Sequence, residues 1–204
     1  MNDIIKINNP KRVFFTSDTH FGHENIMKFC NRPFNSVEEM DEALIENWNN
    51  KVPENGIVFH LGDFAFKYTQ KRYNELINRL NGKIYLVIGN HDWKTLPNEN
   101  NFELVEQQLM LKIDNKKIYL NHLPFLCLDG VYGNNSPKIV WQLFGHVHSK
   151  KEGMIGLDKP RLDYLFDNQY DVGVDNNNYT PVSYYEVKKI IEAQEELLKT
   201  KKIK

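Results

Sequence analysis

The chain has 204 residues, 41% of them hydrophobic, and carries 26 basic and 27 acidic residues for a formal net charge of −1. This size predicts one domain over residues 1–204 with a substantial core. The balanced charge argues against a broad basic surface for extended duplex nucleic acid, and no apolar run approaches the ~20 residues of a membrane span. The N-terminus lacks the apolar centre of a signal peptide, so we expect a cytoplasmic protein.

Short apolar segments, in chain order, predict the strands of an α/β fold. They are Val13–Thr16, 57–61, 84–88, 118–120 and 139–144, and residues 113–120 around Asp114-Asn115 predict a hairpin. One more strand is expected over 171–174. The two cysteines, Cys30 and Cys127, match no metal spacing and are expected to be buried free thiols.

Amphipathic stretches between and after these strands predict helices. A capping box at Ser36 precedes apolar residues spaced three to four apart as far as Trp48, and residues 68–80 show similar spacing. A second capping box at Ser183 precedes a helical stripe that begins at Val187. The strand–helix order predicts an α/β sheet with a second sheet packed on it. The long polar segment 149–166 predicts a loop, either a lid or an irregular excursion.

Polar residues of metal-binding type follow each of the first five predicted strands. They are, in order, Asp18 and His20, then Asp63, then Asn90, His91 and Asp92, then His122, then His146 and His148. Ligands of open α/β sheets gather at the carboxyl ends of the strands, so we expect these five segments to converge on one cleft. Glycines before Asp63, Asn90 and His146 allow the close backbone approach that such a cleft needs.

The residue types predict a centre of two metal ions. His, Asp and Asn without Cys suit Mn first, and otherwise Fe, Zn or Ni. Seven ligands exceed one tetrahedral site but fit two ions that share a bridging carboxylate. Such ions convert a bridging water into a hydroxide nucleophile at neutral pH. His91 is then placed to donate a proton to the leaving group, and Asp92 to orient that imidazole.

The ordered set Asp18-x-His20, Gly62-Asp63, Gly89-Asn90-His91-Asp92, His122 and Gly145-His146-x-His148 resembles the calcineurin-like metallophosphoesterase superfamily, in particular its small bacterial and phage members. The resemblance spans residues 13–148. It implies a four-layer αββα sandwich of two mixed β-sheets flanked by helices. It assigns Asp18, His20 and His148 to the first ion and Asn90, His122 and His146 to the second. It also makes Asp63 the bridge and His91 the proton donor.

Departures from the family patterns narrow the expected activity. Phe66-Lys67 stands where protein Ser/Thr phosphatases of this superfamily carry Asp-Arg, and Asp92 replaces their Glu, which argues against protein phosphatase activity. Phe66 also replaces the tyrosine of purple acid phosphatases, which argues against a ferric site. We expect a phosphodiesterase that acts on a nucleotide or another small phosphodiester. No prediction of oligomeric state follows.

Several residues near these motifs admit two interpretations. His23 either contacts the substrate phosphate or simply begins a helix, and Arg32 either binds phosphate through its guanidinium or ties down a loop. His60 is expected to be a hydrogen-bonded core histidine. Four aromatic residues either stack on a nucleobase or pack in the core: Trp93, Tyr132, Trp141 and Tyr164.

Alternative functions remain open at this stage. The same site chemistry serves a phosphomonoesterase. A catalytically inactive scaffold of the same fold is a different class of protein, but such relatives lose ligands or the proton donor, and all seven ligand positions and His91 are filled here. A single-metal hydrolase of another fold leaves the strand-terminal His146 and His148 unexplained.

Overall fold

The computed structural model describes residues 4–94, 102–126, 140–149 and 167–201. The strands in these residues are β1 (Ile5–Lys6), β2 (Val13–Thr16), β3 (Ile57–His60), β4 (Lys83–Val87), β5 (Leu104–Glu106), β6 (Gln108–Ile113), β7 (Lys116–Asn121), β8 (Val140–Phe144), β9 (Gln169–Asp171) and β10 (Val182–Ser183). The α-helices are α1 (Glu24–Phe29), α2 (Val37–Lys51), α3 (Gln70–Ile77) and α4 (Tyr184–Lys201).

The strands form two mixed sheets. The first has the order β10-β2-β3-β4-β5 and is parallel except for the β10–β2 pair. The second has the order β1-β6-β7-β8-β9 and is parallel except for the β6–β7 hairpin. The predicted α/β architecture of two mixed sheets flanked by helices is therefore confirmed.

Alternation along β2 divides the core in two. Phe14 packs with the helices on one face of the first sheet, where α2 contributes Met40 and Trp48. Val13 and Phe15 point the other way, into a core shared with the second sheet. Because side chains alternate along a strand, one four-residue strand supplies both cores. Helix α4 completes the second core with Tyr184, Val187 and Ile191.

Local sequence signals fix several element boundaries. Asp114 and Asn115 both adopt positive φ, 47° and 63°, in the two-residue turn between β6 and β7, as a tight hairpin of this hand requires. The Ser36 hydroxyl accepts the Glu39 N–H at 3.1 Å at the start of α2. At α4, the Ser183 N–H donates to the Glu186 carboxylate at 2.8 Å, which completes the predicted capping box.

Among the element boundaries that differ from prediction, two have identifiable reasons. Helix α3 begins only at Gln70 because Thr69 caps it by accepting the Arg72 N–H. The strand predicted over 171–174 is displaced toward the N-terminus, because the Asp171 carboxylate accepts the Gly173 N–H at 2.7 Å and turns the chain there.

Other sequence predictions have mixed outcomes. Cys30 is a buried free thiol, as expected, while Cys127 and residues 150–166 of the predicted loop lie outside the described residues. No helix within the described residues is both long and apolar enough to cross a bilayer. The extent of the domain and the cytoplasmic location stay predictions.

Candidate metal centre

The residues that directly follow five of the strands lie around one cleft. Asp18 and His20 follow β2, Asp63 follows β3, Asn90 follows β4, His122 follows β7, and His146 and His148 follow β8. The first three of these strands belong to the first sheet and the last two to the second. All seven residues predicted as ligands therefore lie together at the carboxyl ends of the two sheets, where they form two clusters.

The first cluster consists of Asp18, His20 and His148, each of which offers a donor atom within 4.8 Å of the others. Asp18 is fully buried, and its carboxylate accepts the Ser17 hydroxyl at 2.6 Å. Its Oδ1 lies 3.9 Å from Nε2 of His148. The His146 N–H also donates to the two oxygens of the Asp18 carboxylate, at 3.0 and 2.9 Å. This carboxylate therefore links the loop after β2 to the loop after β8.

The second cluster consists of Asp63, His122, His146 and Asn90. Donor atoms of the first three lie within 4.8 Å of one another. The side-chain oxygen of Asn90 lies 2.9 Å from Nε2 of His122 and 2.9 Å from Nδ1 of His146. The other ring nitrogen of His122 lies 2.8 Å from the Leu61 carbonyl oxygen, which fixes the tautomer and aims Nε2 into the cluster.

Asp63 stands between the two clusters. Its Oδ2 lies 3.4 Å from Nε2 of His20 and 3.5 Å from Nε2 of His122. Its Oδ1 accepts the backbone N–H of His91 at 2.9 Å. One carboxylate oxygen therefore faces a nitrogen donor of each cluster, while the other anchors the loop that carries His91.

The side chains present fit divalent metal ions. Nε2 of His20 is buried, and no described residue forms a hydrogen bond with it, which is a costly state for a polar atom unless another group satisfies it. Burial, together with the neighbouring His148, lowers the pKa of His20 well below its ordinary value, so the imidazole is neutral and keeps a lone pair for a cation. Nitrogen and oxygen donors of this kind suit divalent transition metals.

The surroundings of His148 also favour a positive charge at the first cluster. Burial lowers its pKa, but the Asp18 carboxylate and the hydrogen bond to Asp175 outweigh burial and raise the pKa to about 11. Without metal, the first cluster therefore stabilises a positive charge on this ring. A cation bound at this cluster would compete with that proton, so binding would release a proton at neutral pH.

The backbone around the clusters is unusual. Five residues of the two clusters adopt left-handed φ angles without being glycine, namely Asp18 (57°), His20 (50°), Asp63 (56°), His146 (71°) and His148 (47°). Each such residue costs about 1–3 kcal/mol of local strain. Gly145 leaves room for these loops, because a Cβ there would lie 2.4 Å from Oδ2 of Asp18. The surrounding fold therefore holds the donors in place against a local preference.

Arg32 is occupied by the protein itself. Nε and Nη2 donate to the two oxygens of Asp175 at 3.0 and 2.9 Å, and both side chains are fully buried. Nη2 and Nη1 also donate to the carbonyl oxygens of Asp18 and Thr19 at 2.7 and 3.0 Å. Asp175 in turn lies 2.7 Å from Nδ1 of His148. The guanidinium thus positions the first cluster, and it has no free face for the predicted phosphate contact.

Asp92 also differs from its predicted part. Its buried carboxylate accepts three backbone N–H groups, those of Asp63 (2.8 Å), Phe64 (3.0 Å) and Gly89 (2.8 Å). Within the described residues, no hydrogen bond joins it to the His91 ring. Burial raises the pKa of Asp92, and the three N–H donors act against that shift. Asp92 therefore fixes the loop that carries Asp63 rather than orienting the imidazole.

His91 lies at the open side of the clusters, and His23 is buried beside His20. His91 is exposed, and its ring centroid is 5.3 Å from that of His20. His23 stacks on Phe66 at 3.9 Å between ring centroids, and its Nδ1 lies 3.3 Å from Nδ1 of His20. Burial and the nearby His91 lower the pKa of His23 to about 4, which leaves a neutral ring at the cleft.

The remaining interpretations concern residues that lie outside the clusters. His60 is a core histidine whose Nε2 lies 2.9 Å from the Thr19 hydroxyl, as expected. Trp141 is fully buried in the core, whereas Trp93 is 55% exposed. Tyr132 and Tyr164 lie outside the described residues. Asp175 is the partner that the ligand prediction did not include, although its position four residues after the strand-terminal Asp171 repeats the pattern of the other segments.

Comparisons with known proteins agree with this arrangement. Residues 11–137 match the sequence model of a family described as calcineurin-like phosphoesterase. An uncharacterized protein of Methanocaldococcus jannaschii is 36% identical over 183 residues, which cover 89% of this chain and 92% of the relative. The gene 66 protein of Mycobacterium phage L5 is 34% identical over 95 residues, which cover 46% of this chain and 45% of that protein. The crystal structure of a protein of unknown function from Aquifex aeolicus is 25% identical, with a TM-score of 0.65, and the match covers 87% of this chain and 98% of that one.

Proposed function

Because the chain belongs to the calcineurin-like phosphoesterase family, we propose that it hydrolyses small phosphodiesters at a centre of two divalent metal ions. The observation that carries this proposal is the place of Asp63, whose Oδ2 lies 3.4 and 3.5 Å from nitrogens of the two clusters. A carboxylate between two sets of imidazole nitrogens is the arrangement that a pair of bridged ions requires.

The proposed ligands follow the clusters. Asp18, His20 and His148 would hold the first ion, and Asn90, His122 and His146 the second, with Asp63 shared. The orphaned Nε2 of His20 and the convergence of two imidazoles on the Asn90 oxygen support this assignment. Mn²⁺ is the first choice for such a set, followed by Fe, Zn and Ni.

The protein's own groups would perform the remaining tasks. When bound, the ions supply positive charge for the phosphate oxygens and an acidified water as nucleophile. His91 is exposed, and its backbone N–H is fixed by Asp63, so its imidazole is available to protonate the departing oxygen. His23, as a neutral ring beside His20, would donate one hydrogen bond to the substrate phosphate.

A diester fits the charge of the site better than a monoester does. A phosphodiester carries one negative charge and a monoester close to two at neutral pH. The guanidinium of Arg32, for which the sequence suggested a phosphate contact, donates its hydrogen bonds to Asp175 and two carbonyl oxygens instead. With that charge withheld from the substrate, the less charged ester is the better match.

Hydrolysis of bis-p-nitrophenyl phosphate beside p-nitrophenyl phosphate tests the proposal, after chelation and addition of Mn²⁺. Asp63→Asn serves as the control, since it removes the shared charge. We expect metal-dependent cleavage of the diester, about two bound ions in the native protein, and loss of both activity and metal in the variant. Preference for the monoester would assign a phosphatase instead. An inactive protein that binds no metal would indicate a scaffold, and near-normal metal content in Asp63→Asn would overturn the two-ion assignment.

A further inference from the structure

A cavity of about 270 Å³ opens beside the second cluster. Asn90 and His122 contribute to its wall, so the cavity is continuous with the candidate metal centre. This volume lies just below the usual range of small-molecule sites, about 300–1,000 Å³, and suits one planar group rather than a chain of them. The proposed mechanism makes no use of this space.

The apolar side of the cavity is formed by side chains that a folded protein ordinarily buries. Trp93 and Leu123 both line it, and they are 55% and 49% exposed. The other tryptophans, Trp48 and Trp141, are 1% and 0% exposed, so exposure of an indole is exceptional in this chain. A large aromatic face beside a catalytic cleft is typical of a surface that receives a flat ligand group.

Hydrogen bonds fix the backbone at or next to both apolar residues. Trp93 follows Asp92, whose carboxylate accepts three backbone N–H groups, and it lies in a short 3-10 helix. Leu123 is held by Asn121, whose side-chain oxygen accepts the Leu123 N–H at 2.9 Å. A preformed surface loses little entropy when a ligand stacks on it.

The polar side of the cavity consists of amides. Gln107 and Gln108 line it, at the turn between β5 and β6 and at the first residue of β6. Gln107 is exposed, so its carboxamide is accessible. A carboxamide pairs a donor and an acceptor in the same plane, which matches the edge of a nucleobase. Among the described residues, no carboxylate, lysine or arginine lines the cavity, and its one titratable group is His122 of the second cluster, so a neutral ligand group is favoured.

We propose that the Trp93–Leu123 cavity binds the nucleobase of a nucleoside phosphodiester whose phosphorus lies at the metal centre. This inference rests on the proposed function, because it names the group attached to the ester. The base stacks on the indole of Trp93, and the exposed Gln107 carboxamide faces its edge. One cavity of this size accepts a single unpaired base, which agrees with the balanced charge of the chain and makes paired bases of a duplex poor substrates.

Two esters with the same leaving group test the base site. Thymidine 5′-(p-nitrophenyl phosphate) and methyl p-nitrophenyl phosphate both release p-nitrophenolate, but only the first carries a base. Trp93→Ala should raise KM for the thymidine ester about 5- to 100-fold and leave the methyl ester within about twofold. Trp93→Phe should retain most of the affinity. Tyr185→Ala removes an aromatic that is 46% exposed outside the cavity, and it should change neither value.

A binding measurement separates failure of this inference from failure of the proposed function. Titration of the metal-loaded protein with AMP should quench tryptophan emission, ribose 5-phosphate should not, and Trp93→Phe should remove the AMP response. If the methyl ester is cleaved but Trp93→Ala affects both esters equally, the base site is wrong and the phosphodiesterase stands. If neither ester is cleaved, the phosphodiesterase fails and the titration alone decides the base site. Equal quenching by AMP and ribose 5-phosphate, or no quenching by either, overturns the proposed base site.

Discussion

Replacing Arg32 by alanine should lower the free energy of unfolding by about 3 kcal/mol, because it strands a buried carboxylate. The guanidinium donates to both oxygens of Asp175 and to two carbonyl oxygens, and both charged side chains are fully buried. Removing one partner of a buried ion pair costs about 3–5 kcal/mol. We expect the lower end, because Asp175 keeps its contact with His148, whose pKa is raised to about 11.

Urea unfolding of the chelated protein at pH 7.5, followed by circular dichroism, measures this loss. Arg79→Ala is the matched control, because Arg79 also pairs with a carboxylate, that of Glu42, but their side chains are 48% and 63% exposed. An exposed pair contributes about 0–1 kcal/mol, so the control should be nearly neutral. Equal and small effects in the two variants would refute the reasoning. If Arg32→Ala kept its stability and raised only KM, the phosphate role predicted from sequence would be right.

Four further predictions concern the site and its supports. His91→Gln should keep the metal content and slow diesters with poor leaving groups about 10²–10⁴-fold, far more than p-nitrophenyl esters; equal slowing would remove His91 as the proton donor. Asp175→Asn should weaken metal affinity about 10- to 100-fold in a competitive chelator titration, and unchanged affinity would limit Asp175 to stabilising the fold. Burial lowers the pKa of His60 from 6.5 to about 3, so the unfolded state binds the extra proton and stability falls as pH drops from 6.5 toward 3. Between pH 7.5 and 5.0 the native protein should therefore lose about 2 kcal/mol more than His60→Gln in urea unfolding, and parallel losses would contradict this. Gly145→Ala should place a Cβ 2.4 Å from Oδ2 of Asp18 and lower metal content with the secondary structure retained, whereas full metal content would show that the loop has room.

The layout of the candidate site was predictable because its signals are local. Each ligand segment directly follows a short apolar strand, as at Asp63 after β3 and at His122 after β7. Strand direction then places these residues at one edge without further information. The same logic located the β6–β7 hairpin, since Asp114 and Asn115 tolerate the positive φ that its turn requires.

The support of the site was not predictable because it depends on distant partners. Arg32 and Asp175 are 143 residues apart in sequence, and only the folded chain shows that the arginine faces inward. From the sequence, Asp92 was expected to orient the imidazole of its neighbour His91. In the fold, its carboxylate accepts hydrogen bonds from the backbone N–H groups of Asp63 and Phe64. Side-chain direction at a turn depends on backbone angles that residue types alone leave undetermined.

The left-handed backbone at five donors implies a conflict between durability and activity. Glycine adopts such angles freely, so a glycine at Asp18, His20 or His148 would relieve about 1–3 kcal/mol of strain at each position. The same side chains also hold the loops, because the Asp18 carboxylate accepts the Ser17 hydroxyl and the His146 N–H, and His148 contacts Asp175. Relief of strain at such a position therefore comes only with the loss of a contact between loops and of a proposed metal ligand, which couples the durability of the cleft to its proposed activity.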